Sequence, residues 1–354
     1  MTFHVRGVIE GFYGRLWSWE ERLRVVDVIG EAGFNAFAYA PKEEPLQNAG
    51  WRTPYPPEHL DRIRQLAGAC QGAGLELWAG LRPVGTSYAD DAGLQQVIGK
   101  LRVYLGLGAD RLLLLADDIP ATLDEQAGDR FSRLAGAHAW LVGEVLDGLG
   151  IDPSRLAFVP TDYHGPGTPY LHQLGATIPS GVDLCWTGAD VFVPSVTAAE
   201  AEAIGEVLRR PPLIWDNYPV NDEHDRHDLR IGPVRGRGAD LVGEVRGFLA
   251  NAALEPEAGL IPLLTWGAYL ADPEGFDPEA AWQRALLRVA GNERDAAIVA
   301  ILAAAFDRSI IEQGWARPSD RAIAEAVHGL AAFENRALAA ELEPFVIREA
   351  RPPR

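Results

Sequence analysis

Two adjacent aspartates, Asp117 and Asp118, follow the apolar run LLLLA and are the residues of this chain best suited to chemistry. Side chains alternate along a strand, but a strand end can bend, so both carboxylates can enter one pocket and influence each other's ionisation. One carboxyl can then stay protonated as an acid while its neighbour stays ionised, as glycosidic cleavage requires. A solvated acidic loop is the alternative interpretation of the pair.

A lysine and two tryptophans stand at the ends of other apolar runs. Lys42 is one of only two lysines in a chain that otherwise uses arginine. A lysine at the end of the Ala36–Ala40 run indicates a site that needs a compact ammonium group rather than a planar guanidinium. The alternative interpretation is that the lysine occurs there by chance. Trp186 and Trp215 end two further runs, and they could wall the apolar face of a sugar ring or simply pack in the core.

The loop at residues 221–228, NDEHDRHD, carries histidines and carboxylates at close spacing. We interpret it as a hydrated polar loop, because the ligands are adjacent instead of four residues apart on a helix, and no HExxH motif or cysteine accompanies them. Cys70 and Cys185 are predicted to be buried thiols, since no metal or redox spacing surrounds either. The sequence predicts no metal and no cofactor, although a metal-dependent hydrolase that uses this loop stays an alternative.

The segments that carry these residues alternate between strand and helix. The predicted strands are short apolar or β-branched runs, at Val5–Glu10, Ala36–Ala40, Leu75–Leu81, Arg111–Ala116, Leu156–Pro160, Val182–Trp186 and Pro212–Trp215. The predicted helices have apolar residues at three- and four-residue spacing, as at Trp19–Ala32, Pro57–Ala73, Leu94–Leu107, Arg130–Leu149 and Ala198–Arg209. Seven such units predict an α/β fold of the (β/α)8 TIM barrel type, with functional groups at the C-terminal ends of the strands.

An eighth strand is needed to close the barrel, and two segments compete for that position. Leu260–Thr265 is apolar but continues in a helical pattern, whereas Arg246–Ala250 ends at Asn251. We predict Arg246–Ala250 as the strand and Glu257–Leu270 as the eighth helix. Only helical patterns follow, at Pro278–Val289, Glu293–Arg308 and Asp320–Leu338. The predicted division is a catalytic barrel over residues 1–274 and a C-terminal helical region over residues 275–354.

The overall composition restricts the partners of the protein. The 354 residues carry a formal net charge of −18 and no basic run, which argues against nucleic acid because phosphate binding depends on clustered Lys and Arg. No run approaches the roughly 18 apolar residues of a membrane span, so no membrane association is predicted. The opening segment MTFHVRGVIEGF leaves no room for a signal peptide, so the expected location is the cytoplasm. Nothing in the sequence indicates an oligomeric state.

Six ordered motifs together resemble one enzyme family. They are GVIEGFYGRLW, YAPKEEP, LLLLADDIP, PTDYHG, LCWTG and WDNYPVND. They resemble glycoside hydrolase family 84, the family of protein O-GlcNAcases and bacterial relatives, and the similarity runs from about Val5 to Trp266. The resemblance implies a retaining exo-β-N-acetylglucosaminidase that acts on glycans or glycoproteins with terminal β-linked N-acetylglucosamine (GlcNAc). It also implies substrate-assisted catalysis, in which the 2-acetamido oxygen of the sugar attacks its own anomeric carbon and forms an oxazoline.

The motif match assigns roles to five residues. It implies that Asp117 holds and polarises the acetamido N–H, and that Asp118 protonates the departing oxygen and later deprotonates water. Tyr163 is expected to bond the acetamide oxygen. Trp215 is expected to help wall the acetamide pocket, and Asn217 to support the catalytic centre.

Four further positions, Gly11, Lys42, Asp222 and Asn251, match residues that bind the sugar hydroxyls in the family. The match at Asn251 is the reason for ending the eighth strand there. Two other functions stay open at this point. One is a glycan-binding barrel without activity, and the other is the metal-dependent barrel hydrolase.

Overall fold

The computed structural model of the chain describes residues 2–349, and in it eight parallel strands close into a barrel. The strands are β1 (Val5–Glu10), β2 (Ala36–Tyr39), β3 (Glu76–Leu81), β4 (Arg111–Leu115), β5 (Leu156–Val159), β6 (Asp183–Trp186), β7 (Leu213–Asp216) and β8 (Gly247–Asn251). Each strand pairs with the next, and β8 returns to pair with β1, Val5 beside Gly247 and Ile9 beside Asn251. The predicted TIM barrel is confirmed.

Twelve α-helices lie among the described residues. They are α1 (Trp19–Glu31), α2 (Pro57–Gly72), α3 (Asp91–Gly106), α4 (Glu125–Arg130), α5 (Leu134–Leu149), α6 (Pro169–Thr177), α7 (Ala198–Leu208), α8 (Pro256–Ala271), α9 (Pro278–Ala290), α10 (Glu293–Phe306), α11 (Asp320–Gly329) and α12 (Arg336–Glu349). None of the described helices is long and apolar enough to cross a membrane.

The eighth strand and helix follow the prediction. Arg246–Ala250 was expected to be the strand, and β8 starts and ends one residue later. The competing segment, Leu260–Thr265, lies inside α8, which is buried on nearly all sides. A helix that is apolar all round needs cover on every face. This explains why its sequence looked like a strand buried on both faces.

Two of the predicted helices are interrupted. The segment Arg130–Leu149 contains the end of α4 and all of α5, because Phe131 takes an extended conformation between them. The segment Asp320–Leu338 divides into α11, a 3-10 turn and the start of α12, which Asn335 begins by accepting the backbone N–H of Leu338 at 3.1 Å. Periodicity runs across these breaks because apolar residues continue on both sides of them.

Alternation along the strands aims the chemistry at the barrel mouth. In β4, Leu113 and Leu115 belong to the cluster that fills the barrel, whereas Leu112 and Leu114 belong to the cluster under the helices. Both faces are apolar because helices cover the outside and layers of side chains fill the inside. Continued past the strand, the same alternation points Asp117 inward at the C-terminal face.

The helices that follow the barrel pack against its last helix. α9 and α12 both contact α8, and α10 and α11 lie beyond α9. Glu341 of α12 accepts the backbone N–H groups of Glu257 (3.3 Å) and Ala258 (2.7 Å), and so caps the start of α8 from outside. The predicted division after residue 274 falls between α8 and α9. Residues 350–354 of the predicted C-terminal region lie outside the described residues.

Candidate active site

A cavity of about 290 Å³ opens at the C-terminal ends of the strands, the face where TIM-barrel enzymes carry their sites. Its lining includes all nine residues that the sequence singled out: Gly11, Lys42, Asp117, Asp118, Tyr163, Trp215, Asn217, Asp222 and Asn251. They come from six of the eight strand ends, so the fold alone brings them together. The catalytic and binding roles assigned to them stay predictions.

The two aspartates after β4 enter the cavity in different surroundings. Asp117 is buried, with 5% of its surface exposed, and it follows the strand alternation. Asp118 has φ of 52°, in the left-handed region that non-glycine residues seldom adopt, and this bend turns its side chain into the same cavity. Its side chain is 36% exposed. The bend lets neighbouring residues share one pocket, with one carboxylate deep and the other at the mouth.

Lys42 joins the two carboxylates. Its Nζ contacts Asp117 Oδ2 and lies 3.2 Å from Asp118 Oδ2. The ammonium group also lies 5.6 Å from the ring centroids of Tyr13 and Trp215. A compact group with three donors can serve two carboxylates from one point, which a planar guanidinium does less well. Lys42 thus offsets the repulsion between two adjacent negative charges.

The surroundings of Asp118 favour its ionised form. Burial raises the pKa of this carboxyl, but the charge of Lys42, hydrogen bonds from Tyr13 and Lys42, and the charge of Arg82 outweigh burial. The pKa of Asp118 therefore lies below its ordinary value. The Tyr13 hydroxyl donates to Asp118 Oδ2 at 2.7 Å and accepts from Arg82 Nη1 at 2.9 Å.

The inner oxygen of Asp117 is an acceptor without a donor. Asp117 Oδ2 accepts from Lys42, while Oδ1 is buried and meets no hydrogen-bond donor within residues 2–349. A buried acceptor left unpaired costs roughly 1–3 kcal/mol. Because Asp117 lines the cavity, a bound molecule can reach this oxygen there. The atom is therefore suited to accept an N–H or O–H from a ligand.

Tyr163, after β5, brings a hydroxyl to the same cavity. Burial and the charges of Asp118, Asp117, Glu223 and Asp190 raise the pKa of Tyr163 to about 12. The phenol therefore keeps its proton over the physiological range and can donate a hydrogen bond. A donor and the free acceptor of Asp117 together match the two polar ends of an amide.

The indole of Trp215 packs directly over Gly11. A Cβ built on Gly11 would lie 2.5 Å from Trp215 Cζ2, so this position accepts no side chain while the ring stays in place. Trp215 Nε1 donates to Asn217 Oδ1 at 2.9 Å, which fixes the ring. Trp186, the other candidate, also lines the cavity, but it is 2% exposed and donates Nε1 to Gly165 O, so most of its ring packs in the protein.

Two asparagines join the ends of β7, β8 and β1. Asn251 accepts the N–H of Gly11 at 3.2 Å and donates Nδ2 to Asn217 Oδ1 at 3.0 Å. Asn217 in turn donates Nδ2 to Val191 O at 2.8 Å. Both amides are therefore largely occupied by protein partners. Each keeps one N–H that these bonds do not use.

Asp222 fixes the loop that follows β1. Its Oδ2 accepts the backbone N–H of Tyr13 at 2.8 Å, across 209 positions of sequence. Burial and the neighbouring charge of Glu223 raise the pKa of Asp222, and the Tyr13 N–H and the Lys42 charge offset only part of this effect. The acidic loop at residues 221–228 is thus tied down by protein contacts. In the described part of the chain, no group of three or more His, Cys, Asp or Glu is placed to hold a metal ion.

A buried ion pair holds the residues around Trp215. Asp216 and Arg237 are each 1% exposed at their side chains and form two hydrogen bonds of 2.8 Å. The same guanidinium donates to Val193 O and Pro194 O, in the loop that follows β6. Arg237 therefore fixes β7 and this loop relative to each other, and with them two sides of the cavity.

Sequence reasoning missed several residues around the cavity. Tyr13, Val191, Phe192 and Glu223 line it, and Arg82 lies behind Tyr13. Tyr13 was visible inside the motif EGFYG but received no role. Arg82 directly follows β3, so a basic residue at a strand end was an available signal. Val191 and Phe192 follow β6 in an irregular loop, where no periodic pattern marks them.

Comparisons with known proteins identify related sequences and folds. Residues 6–303 match a family model described as beta-N-acetylglucosaminidase. Protein O-GlcNAcase of Rattus norvegicus and that of Mus musculus are each 29% identical over 271 residues, which is 73% of this chain and 29% of the relative. The chain thus spans less than a third of the length of these curated relatives. A solved O-GlcNAc hydrolase of Thermobaculum terrenum, a mutant form, superimposes with a TM-score of 0.89 at 27% identity, covering 98% of this chain and 81% of that one.

Proposed function

The chain belongs to the beta-N-acetylglucosaminidase family, and we propose that it is a retaining exo-β-N-acetylglucosaminidase that works through an oxazoline intermediate. The substrates we propose are glycans or glycoproteins with terminal β-linked GlcNAc. The rat and mouse relatives, which are protein O-GlcNAcases, support GlcNAc on proteins as one of them. The cytoplasmic location expected from the sequence stays a prediction.

One observation carries the proposal, and it is the unpaired oxygen of Asp117. This buried Oδ1 lies in a cavity that also receives the Tyr163 hydroxyl, a donor that keeps its proton. An acetamido group has one N–H to give and one carbonyl oxygen that accepts. Asp117 Oδ1 can accept a hydrogen bond from the acetamide N–H, and the Tyr163 hydroxyl can donate one to the acetamide oxygen. Together these bonds would orient the acetamide oxygen toward the anomeric carbon. A site matched to these polar atoms rejects sugars that lack them.

In the first step the acetamide oxygen attacks the anomeric carbon, and the bond from that carbon to the leaving oxygen breaks. Asp118 must carry a proton for this step, although the surrounding protein groups favour its ionised form. The bound sugar excludes water and so raises the pKa of this carboxyl, which then gives its proton to the leaving oxygen. Positive charge spreads over the new ring, and the ionised Asp117 stabilises the N–H that becomes acidic. The deep carboxylate thus stabilises charge, and the exposed one exchanges protons.

In the second step water attacks the same anomeric carbon from the side that the leaving group vacated. Asp118, now ionised, takes a proton from the water, and the bond between the oxazoline oxygen and the anomeric carbon breaks. The acetamide is restored, and two inversions give net retention of configuration. The exposure of Asp118 suits this role, because water reaches it directly.

The proposal is tested with 4-nitrophenyl β-N-acetylglucosaminide and its mono-, di- and trifluoroacetamido analogues. Fluorine makes the acetamide oxygen less nucleophilic, so kcat/KM should fall with each fluorine. Asp117→Asn should also be strongly impaired, and Asp190→Asn, which removes a carboxylate outside the proposed machinery, serves as the matched control. A flat fluorine series with a covalent glycosyl-enzyme in the mass spectrum would show a carboxylate nucleophile instead.

The same assay decides between the remaining functions. A glycan-binding barrel without activity would bind GlcNAc and release no nitrophenol. A metal-dependent hydrolase would lose its activity on treatment with a chelator and regain it with added metal. The proposed mechanism expects full activity in the presence of EDTA.

A further inference from the structure

A continuous chain of hydrogen bonds runs from the end of β3 to Asp118. Arg82 Nη1 donates to the Tyr13 hydroxyl at 2.9 Å, and this hydroxyl donates to Asp118 Oδ2 at 2.7 Å. Arg82 Nη1 itself lies 4.0 Å from the same oxygen. Because Arg82 donates a hydrogen bond to the phenolic oxygen, the Tyr13 hydroxyl directs its own hydrogen at the carboxylate of Asp118.

The guanidinium of Arg82 is held in place from its other side. Its Nε and Nη2 both donate to Asn48 Oδ1, at 3.1 and 2.6 Å. Asn48 donates Nδ2 to Lys42 O at 2.5 Å, so the group is fixed to the same loop that carries Lys42. The side chain of Arg82 is only 14% exposed. A planar fork with defined donors can meet Asn48 and Tyr13 together, which a single ammonium group cannot.

Charged and titratable groups face Asp118 from every neighbouring strand end. They are Tyr13 after β1, Lys42 after β2, Arg82 after β3, Asp117 beside it and Tyr163 after β5. Lys42 divides its charge between both aspartates. Arg82 lies 4.0 Å from Asp118 and is otherwise engaged with Asn48 and Tyr13, so its ion contact within the pair is with Asp118.

We propose that Arg82, acting through Tyr13, is a positioning residue that holds the acid/base carboxylate of Asp118 and helps Lys42 to set the pH range in which this carboxylate carries its proton. The inference rests on the proposed function, in which Asp118 is the acid and base. A positive charge near Asp118 makes it a stronger acid toward the leaving oxygen, and it confines the protonated form to lower pH. Arg82 therefore contributes, together with Lys42, to the alkaline limit of activity.

The test compares the pH dependence of kcat/KM in the wild type, Arg82→Met and Arg82→Lys. Loss of a charge 4.0 Å from the carboxylate should move the alkaline limb of Arg82→Met upward by on the order of one pH unit. Arg82→Lys keeps the charge and should move the limb less. Tyr13→Phe removes the hydroxyl between Arg82 and Asp118 and should also move the alkaline limb to higher pH. The double variant Tyr13→Phe/Arg82→Met should move the limb by less than the sum of the two single shifts.

The matched control is Arg226→Met, which removes an exposed arginine that donates to His227 on the loop after β7. This variant changes the net charge by the same amount as Arg82→Met, but it should leave the alkaline limb of the kcat/KM profile unchanged. A purely structural role for Arg82 would lower kcat or stability without moving the limb. An Arg82→Met limb equal to that of the Arg226 variant would overturn the inference.

A readout without turnover separates this inference from the proposed function. Carbon-13 NMR of enzyme labelled at aspartate carboxyls follows the titration of Asp118, identified by the signal that disappears in Asp118→Asn. In Arg82→Met this titration should move to higher pH. An unchanged titration overturns the inference even in an active enzyme, whereas a wild type without GlcNAc hydrolysis rejects the proposed function alone.

Discussion

Two residues of the same type, adjacent in sequence, meet different environments in this protein. Asp117 is buried with one oxygen on Lys42, and Asp118 bends out to a mouth where its side chain is 36% exposed. A buried carboxylate can stabilise a nearby charge but exchanges protons with water poorly. An exposed carboxylate exchanges protons with water readily. Position relative to the strand end therefore gives two identical side chains different environments, and the proposed division of roles rests on this difference.

The division predicts a leaving-group effect in Asp118→Asn. Substrates with poor leaving groups should lose about 10²–10⁴-fold in rate, because they need a proton on the departing oxygen. Substrates with acidic phenols need less protonation and should be spared. The measurement is kcat/KM across a series of aryl β-GlcNAc substrates of graded phenol pKa. Equal losses across the series would mean that Asp118 is not the acid.

At the scale of elements, the strands were predictable and the loops between them were not. Each predicted strand is confirmed to within one residue at either end, because strands buried on both faces read as continuous apolar runs. Asp117, Asp118 and Lys42 stood out because they follow such runs, whereas the roles expected of Tyr163 and Asp222 came only from the family resemblance. Arg82 was missed, since its partner Tyr13 is 69 positions away and the contact depends on closure of the barrel. Helix breaks such as the one at Phe131 were missed because the periodic pattern runs through them.

The loop after β7, which carries Asp222, depends on the helices beyond the barrel. Asp307, at the end of α10, accepts the backbone N–H groups of Ile231 (2.9 Å) and Gly232 (3.0 Å). Trp282 of α9 donates Nε1 to Ile231 O at 2.7 Å. The C-terminal helices thus hold the far side of the loop that brings Asp222 to the cavity.

Replacing Asp307 should therefore affect both stability and substrate binding. Asp307→Ala removes a charged acceptor from three backbone donors, those of Ile231, Gly232 and Ser309. This should cost at least about 1.5–3 kcal/mol in the free energy of unfolding. KM should rise more than kcat falls, since Asp222 is expected to bind sugar hydroxyls. Asp307→Asn, which keeps one acceptor oxygen, is the matched control. Its stability and its KM should lie between those of the wild type and those of Asp307→Ala. Urea unfolding and steady-state kinetics measure the two effects. An unchanged KM in Asp307→Ala would show that the C-terminal helices do not position the loop that carries Asp222.

At the scale of the whole molecule, the barrel and the C-terminal helices share one apolar interface. α8 buries residues on nearly all sides, including Leu260, Leu263, Trp266 and Leu270, and α9 and α12 supply part of this cover. Glu341 caps the start of α8, and burial raises the pKa of this carboxyl to about 7. The helices that follow the barrel therefore complete its outer layer.

A chain that ends at residue 274 should consequently fail to form a stable barrel. It would expose the outer face of α8 and leave the first N–H groups of that helix without the Glu341 carboxylate. We expect aggregation, or a melting temperature far below that of the full chain, by differential scanning fluorimetry. A monomeric and active 1–274 fragment with unchanged melting would show instead that the predicted boundary separates independent domains.

The hydrogen bond between Gly11 and Asn251 spans 240 positions, nearly the full length of the barrel. During synthesis, the segment with Gly11 leaves the ribosome long before the segment with Asn251 is made. The cavity can therefore form only after β8 has been synthesised. Contacts between distant parts of a chain form late, because the intervening segment must first be ordered. Individual βα units can therefore assemble early without producing any catalytic power. In a refolding experiment, the return of hydrolysis would mark the final closure of the ring, whereas the return of helical signal would mark only its parts.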